Sequence, residues 1–246
     1  MPEIIESGKF RIPVLYEDNH LLVVVKPPNI PSQADSSGDI DMLTALKKYI
    51  AEKYNKPGAV YLGLVHRLDR PVGGVMVFAR TSKAAARLSE TFRTHEQDRR
   101  YLAVTEGEIR GEKLLTDYLL KDAKTGMVRC VKPGTAGAKE ARLKTAPVAH
   151  KEGLTLTQVQ LFTGRSHQIR VQHAHAGHPL WGDMRYGHGK PGRQIALWAW
   201  ALKLDHPTKK ETMSFYALPP EEGAWRTFGA EIAALAQEEG ANTGEE

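Results

Sequence analysis

At 246 residues the chain is long enough to bury a sizeable core without staples, and its single cysteine, Cys130, excludes an internal disulfide. Hydrophobic residues make up 41% and charged residues 26%, ordinary values for a globular protein, and no apolar run approaches the length that spans a bilayer. Net charge is +5, but the stretch 238–246, EEGANTGEE, holds four of the 29 acidic residues, so the rest of the chain sets 34 bases against 25 acids and leans toward a polyanionic partner.

The opening MPEIIESGKF has no basic flank followed by an apolar stretch, so no secretory leader is expected, and a reducing, cytoplasmic setting fits the lone cysteine. Residues 13–17 and 21–25 are predicted strands around the turn Asp18-Asn19-His20. The prolines of KPPNIPSQ make a loop. Met42, Leu46, Tyr49, Ile50 and Tyr54 then recur at helical spacing behind Asp39 or Asp41 as a cap. Strands are expected at 61–68 and 74–79, and a helix from Ser82 through KAAARLSETFRTHEQ, with Ala85, Leu88 and Phe92 on one face.

From residue 99 the character changes. RRYLAVTEGEI, EKLLTDYLL, MVRCVKP, KEARLKTAPVAH and LTLTQVQLF are successive strand-like runs separated by glycine-containing turns, which predicts antiparallel neighbours. A helix is expected from Ser166, as a plausible cap, to Gly177, followed by Pro179. Strands near 195–204 and 212–218 and a helix over 224–236 complete the chain. Runs of strands with interspersed helices indicate an α+β fold in one or two lobes rather than a regular βαβ array.

Two stretches could carry chemistry. In GLVHRLDRPVGG (63–74), Asp69 lies between Arg67 and Arg70 at the end of an apolar run, and neighbouring guanidinium groups favour an ionised carboxylate. Such a group suits nucleophilic attack or stabilisation of positive charge, although a surface ion pair at a turn is the usual meaning of such a pattern. In TGRSHQIRVQHAHAGHPLWGD (163–183), four histidines invite a zinc hypothesis. Helical geometry opposes it: His173 and His175 point about 200° apart, and the positions that would partner His167 are Arg170 and Val171. On the same helix Ile169, His173 and Ala176 share one face, while Arg165, Gln168, Gln172 and His175 lie along another. Tyr101, Lys26 and the tryptophans 181, 198 and 200 are, taken singly, ordinary strand-end or packing residues, though tryptophan can stack on bases.

In chain order, LLVVVKPPNIPSQ, GLVHRLDRPVGGVMVFART, RRYLAVTEG, TGRSHQIRVQHAHAGHPLWGDMRYG and IALWAWALKLDHP resemble the RluA family of RNA pseudouridine synthases. The resemblance implies a mixed, largely antiparallel sheet flanked by helices, in two lobes around a central cleft, forming one catalytic domain over 1–237 with an acidic tail, 238–246, expected to be disordered. The S4 RNA-binding module that many relatives carry is not expected before residue 13. The implied reaction is an isomerisation of uridine to pseudouridine in rRNA or tRNA, with no cofactor and no metal. RNA is the implied partner, a membrane is not, and a monomer is expected.

Asp69 falls on the family's essential aspartate, which either attacks C1′ or removes a proton from C2′. Tyr101 falls on the active-site tyrosine that stacks on uracil and is a candidate base for the C5 proton, and Arg165 on the arginine that pairs with the aspartate. Lys26, Arg67, Arg70, Gln168, Arg170 and Leu197 are expected RNA or substrate contacts, with Leu197 the apolar residue under the uracil. His66 has no assigned role. Two other readings compete: an RNA-binding or RNA-folding protein on the same scaffold, which the joint presence of Asp69, Tyr101 and Arg165 opposes, and a metal-dependent hydrolase.

Overall fold

The computed structural model describes residues 3–241. The chain forms two compact units, one comprising Met1–Asp98 with Ala199–Ala217 and the other Arg99–Trp198 with Leu218–Glu246. Among the described residues no helix is long and apolar enough to cross a membrane.

The first unit opens with β1 (Ile4–Ser7), β2 (Phe10–Glu17) and β3 (Leu21–Lys26), followed by α1 (Met42–Lys53), β4 (Gly63–Leu64), β5 (Gly73–Ala79) and α2 (Ser82–Thr94). The second contributes β6 (Asp98–Glu106), β7 (Lys113–Lys121), β8 (Val128–Val131), β9 (Lys139–Lys151), β10 (Leu154–Leu161) and α3 (Gln168–His175). The chain then runs through β11 (Leu197–Asp205) and β12 (Thr212–Tyr216) to a 3-10 turn, Gly223–Phe228, and α4 (Gly229–Ala241).

In the first unit the strand order is β1-β2-β3-β5-β11, with β12 on β11 and β4 on β5. LLVVVK in β3 is apolar almost without interruption because both faces are covered. Val23, Val75 and Val77 pack with Ala84, Leu88 and Phe92 of α2 and with Leu202 and Phe215. Asp41 caps α1 by accepting the Thr44 N–H at 3.1 Å, so of the two expected caps the nearer one serves. In the second unit β6-β10-β9-β7-β8 form an antiparallel meander-like sheet, on which α3 rests through Val171 against Leu119, Val128 and Ala141.

Several boundaries differ from expectation, each for a local reason. β1 went unpredicted: its four residues pair antiparallel with β2 but bury only Ile5. The strand expected over 61–68 is ladder for only two residues, because the His66 ring takes over the next rung (below). α2 stops at Thr94, since His95 turns left-handed at φ 62°. α3 starts at Gln168 behind a left-handed His167 with no side-chain cap, so Ser166 does not cap it. α4 continues to Ala241, and Glu239 pairs with Arg100. Residues 238–241 are therefore helix, not disordered tail; 242–246 lie outside the described residues.

Candidate active site

Asp69 sits in a turn that Val72 N–H closes onto the Asp69 carbonyl at 3.0 Å. Donors from the end of β3 and the loop after it, two of them the buried side chains of Lys26 and Ser32, grip the backbone on both sides of it. Ser32 Oγ donates to Leu68 O at 2.8 Å and faces the Leu68 N–H at 3.2 Å. Asn29 N–H donates to Arg70 O at 2.8 Å. Lys26 Nζ donates to Arg70 O at 3.0 Å, Val72 O at 2.7 Å and Pro27 O at 3.1 Å. The Asp69 side chain itself stays partly exposed. The KPPNIPS loop after β3 thus acts as a clamp on the HRLDRP loop.

Lys26 is fully buried. Burial pushes its ammonium down to about 7, against the opposing pull of the Asp69 charge and with the Arg70 charge adding to the fall. Its expected role as a contact to RNA does not survive this placement, since all three ammonium protons end on carbonyls. Arg70 is likewise engaged: its guanidinium meets Asp39, Ser37 Oγ at 3.0 Å and Asp35 at 3.5 Å. A phosphate approaching that head would compete with these carboxylates. Arg67 is exposed and remains open to a phosphate.

His66 acquires a role. Its ring lies parallel to Phe92 of α2, centroids 4.5 Å apart and 8° between planes, and its Nε2 accepts the Val77 N–H at 3.1 Å. The β4–β5 ladder pairs Gly63 with Ala79 and Leu64 with Phe78, so Val77 is the next rung. The imidazole supplies the acceptor that a longer β4 would have supplied, which places the ring proton on Nδ1. The chain is thereby released from the sheet three residues before Asp69. Gly74 closes the loop at φ +121°, where a Cβ would lie 2.1 Å from Ala199 O; no other residue fits that approach.

In the second unit Tyr101 lies in β6 opposite Val159 and is nearly buried. Arg99, on the same strand, packs its guanidinium against Gly164: a Cβ there would sit 2.9 Å from Arg99 Nη1. Burial lowers the Arg99 guanidinium pKa, while Tyr101 pulls it back up. Gly164 therefore makes room for a cation between the tyrosine's strand and the GRSHQIR segment. Arg165 donates through Nε to Glu140 O at 2.8 Å, and its N–H donates to Gln168 Oε1 at 3.0 Å.

Gln168 and Arg170 are both buried and hold the segment rather than face a ligand. Gln168 Oε1 also accepts from Thr163 Oγ1 at 2.8 Å, and its Nε2 donates to Arg142 O at 3.0 Å. Arg170 makes a two-pronged pair with Asp183, at 2.7 and 2.8 Å. Burial alone would raise the Asp183 carboxyl, but Arg170 outweighs it and holds the group below its ordinary value. The expected RNA contacts at Gln168 and Arg170 are therefore corrected to structural roles. Leu197 is buried at the start of β11. His167 Nδ1 bonds the Tyr186 hydroxyl at 2.6 Å, and that hydroxyl accepts the Val128 N–H at 3.0 Å.

Ser32, Asn29 and Arg99 were not singled out from the sequence. Their contribution is a contact made far along the chain, and no local spacing announces it.

The architecture is that of the pseudouridylate synthases. Human RNA pseudouridylate synthase domain containing 4 superposes with a TM-score of 0.72 at 21% identity, covering 91% of this chain and 92% of that one. Human RNA pseudouridylate synthase domain containing 1 gives 0.67 at 21%, covering 90% and 95%. At the level of sequence, the RNA pseudouridylate synthase family model matches residues 20–175. Ribosomal large subunit pseudouridine synthase C of Yersinia pestis is 34% identical over 214 residues, 83% of this chain and 64% of that protein. The uncharacterized RNA pseudouridine synthase YhcT of Bacillus subtilis (strain 168) is 36% identical over 201 residues, covering 80% and 65%. The Escherichia coli (strain K12) synthase C is 34% identical over 225 residues, covering 87% and 68%. The chain belongs to the RNA pseudouridylate synthase family, in its RluA branch. It spans a little under two thirds of the length of the Yersinia and Bacillus relatives.

Proposed function

We propose that this protein is an RNA pseudouridine synthase that isomerises uridine in large-subunit ribosomal RNA. The observation that carries the reading is the Asp69 loop: Lys26, Ser32 and Asn29 hold its backbone at Leu68, Arg70 and Val72, while Asp69 itself is only partly buried. A carboxylate on a fixed main chain suits a reaction whose demand is positioning. The reaction asks Asp69 either to attack C1′ or to take a proton from C2′, and both routes use the ionised carboxylate. The N1–C1′ bond breaks, the freed uracil turns, and C5 bonds to C1′ as Asp69 leaves C1′ or, on the other route, as the proton it took returns to C2′; Tyr101, stacked on the ring, accepts the C5 proton and N1 gains one from solvent. Arg165, carried by the GRSHQIR segment, is the third residue this reading assigns to the reaction. The family match and relatives named for the ribosomal large subunit support RNA, and rRNA in particular, as substrate. The target base has to leave its stack, a step of a few kcal/mol that phosphate contacts from a basic surface, Arg67 included, help to offset.

Pseudouridine mapping of total RNA from cells with and without the gene tests the proposal. One or a few uridines in large-subunit rRNA should lose modification, wild type should restore it, and Asp69→Asn should not. No change at any uridine, or full rescue by Asp69→Asn, overturns the enzymatic reading. A change confined to tRNA overturns the ribosomal substrate. Arg165→Ala should fold and lose turnover on the order of 10²-fold; near-normal turnover removes Arg165 from the reaction.

A further inference from the structure

Helical spacing keeps the histidines of α3 from meeting one another, but the fold brings donors from elsewhere to one of them. β7, β8 and the last turn of α3 place Asp117, Cys130 and His175 so that one donor atom from each lies within 4.8 Å of the other two. We propose that these three side chains bind a single zinc ion, with water as the fourth ligand.

The positions follow from strand geometry. Cys130 stands opposite Leu119 in the β7–β8 register, and Asp117 lies two residues before Leu119, so alternation puts Asp117 and Cys130 on one face of the hairpin. That is the face on which α3 packs. His175 Nε2 lies 3.8 Å from Asp117 Oδ1, too far for a hydrogen bond. Two donors bonded at about 2.1 Å to a shared tetrahedral ion stand about 3.4 Å apart, so the His175–Asp117 pair is within a few tenths of an ångström of ligating spacing. Asp117 is held ready: Gln172 Nε2 donates to its Oδ2 at 2.8 Å, the kind of outer partner that orients a ligating carboxylate.

The chemistry matches a borderline-soft divalent ion. On binding, the Cys130 thiol releases its proton to solvent and the thiolate bonds the ion. Thiolate, carboxylate and neutral imidazole together neutralise a 2+ charge, and a thiolate with an imidazole selects zinc over magnesium or calcium. The His175 side chain is 62% exposed, which gives the ion a path in and leaves room for water. Bound there, zinc would tie the β7–β8 hairpin to the helix that follows Arg165. The assignment does not depend on the proposed reaction, because its test reads the metal directly.

The test is titration of the untagged, full-length protein, kept reduced, with Co²⁺ alone. One equivalent should produce a thiolate-to-cobalt charge-transfer band and tetrahedral visible bands, release one proton, and be displaced by one equivalent of Zn²⁺. Cys130→Ser should abolish the charge-transfer band, and His175→Gln should weaken binding at least ~10-fold; both positions are partly or largely exposed, so circular dichroism should match wild type. No charge-transfer band at tenfold excess of Co²⁺, or binding unchanged in both variants, overturns the site.

Discussion

In the first unit the loop around Asp69 is held by side-chain donors that end on main-chain carbonyls: Lys26 on Arg70 and Val72, Ser32 on Leu68. In the second, the segment carrying Arg165 is held largely by side chains that bind one another: Thr163 with Gln168, Arg170 with Asp183, His167 with Tyr186. The first arrangement tolerates changes in the loop's own side chains, because what is gripped is backbone, but it cannot spare the donor. The second fails from either end of its buried Arg170–Asp183 pair, since losing one partner leaves the other buried without its opposite charge. Specificity of position is obtained twice, by different physics.

The largest expected effect is in the second unit. Arg170→Met leaves the Asp183 carboxylate buried without its cation and should destabilise the protein by about 3–5 kcal/mol in urea unfolding. Replacing both residues by apolar ones, Arg170→Met with Asp183→Leu, should recover a good part of that loss, the signature of an unpaired charge rather than a lost contact. A single-variant loss below about 1 kcal/mol would mean that the pair is not what holds the segment.

The counterpart in the first unit is Lys26→Met. It removes the donor from the carbonyls of Arg70 and Val72 and should destabilise by about 3 kcal/mol. Turnover should fall on the order of 10²-fold as the Asp69 backbone loosens. Lys26→Arg should rescue neither, since a guanidinium does not fit where the ammonium is fully enclosed. If stability falls with turnover intact, the clamp supports the fold without positioning Asp69, and the contrast between the units loses its functional half.

Much of this was readable in the sequence because it is periodic or local. The run of five β-like stretches after residue 99 produced five antiparallel strands, since each alternation is set by residues a few positions apart. Asp69 stood out because a carboxylate among cations at a strand end is a local anomaly. What stayed hidden was long-range. Lys26 grips Arg70 across 44 positions, and a lysine closing a strand looks the same whether its head ends in water or on three carbonyls. Arg170 and Gln168 carried polar chemistry that suggested ligand contacts, whereas burial turned them into struts. His66 could not be read at all, because its partner is the Val77 N–H, a group every residue but proline possesses.

Two smaller effects sharpen the contrast. In the second unit His173 is buried, with Nδ1 on Ile169 O and Nε2 on Thr145 Oγ1, and burial pushes it down to about 4 from an ordinary 6.5. Between those values the unfolded chain takes a proton that the folded chain refuses, so stability is full above pH 6.5 and falls as pH drops toward 4. The slope is about 1.4 kcal/mol per pH unit, or about 3 kcal/mol across the window. His173→Gln should be less stable at pH 7 and should flatten that part of the urea-midpoint profile; an unchanged profile would place the acid sensitivity elsewhere.

In the first unit the matching test is His66→Phe, which keeps the stack on Phe92 and removes only the acceptor for the buried Val77 N–H. It should destabilise by about 1–2 kcal/mol, and His66→Gln, whose amide oxygen can accept the same hydrogen, should recover part of the loss. Turnover should follow the same order, wild type above Gln above Phe, because the acceptor fixes where the chain leaves the sheet before Asp69. Equal turnover in all three would show that the Lys26 and Ser32 clamp positions Asp69 without help from His66, making main-chain capture by the KPPNIPS loop sufficient on its own.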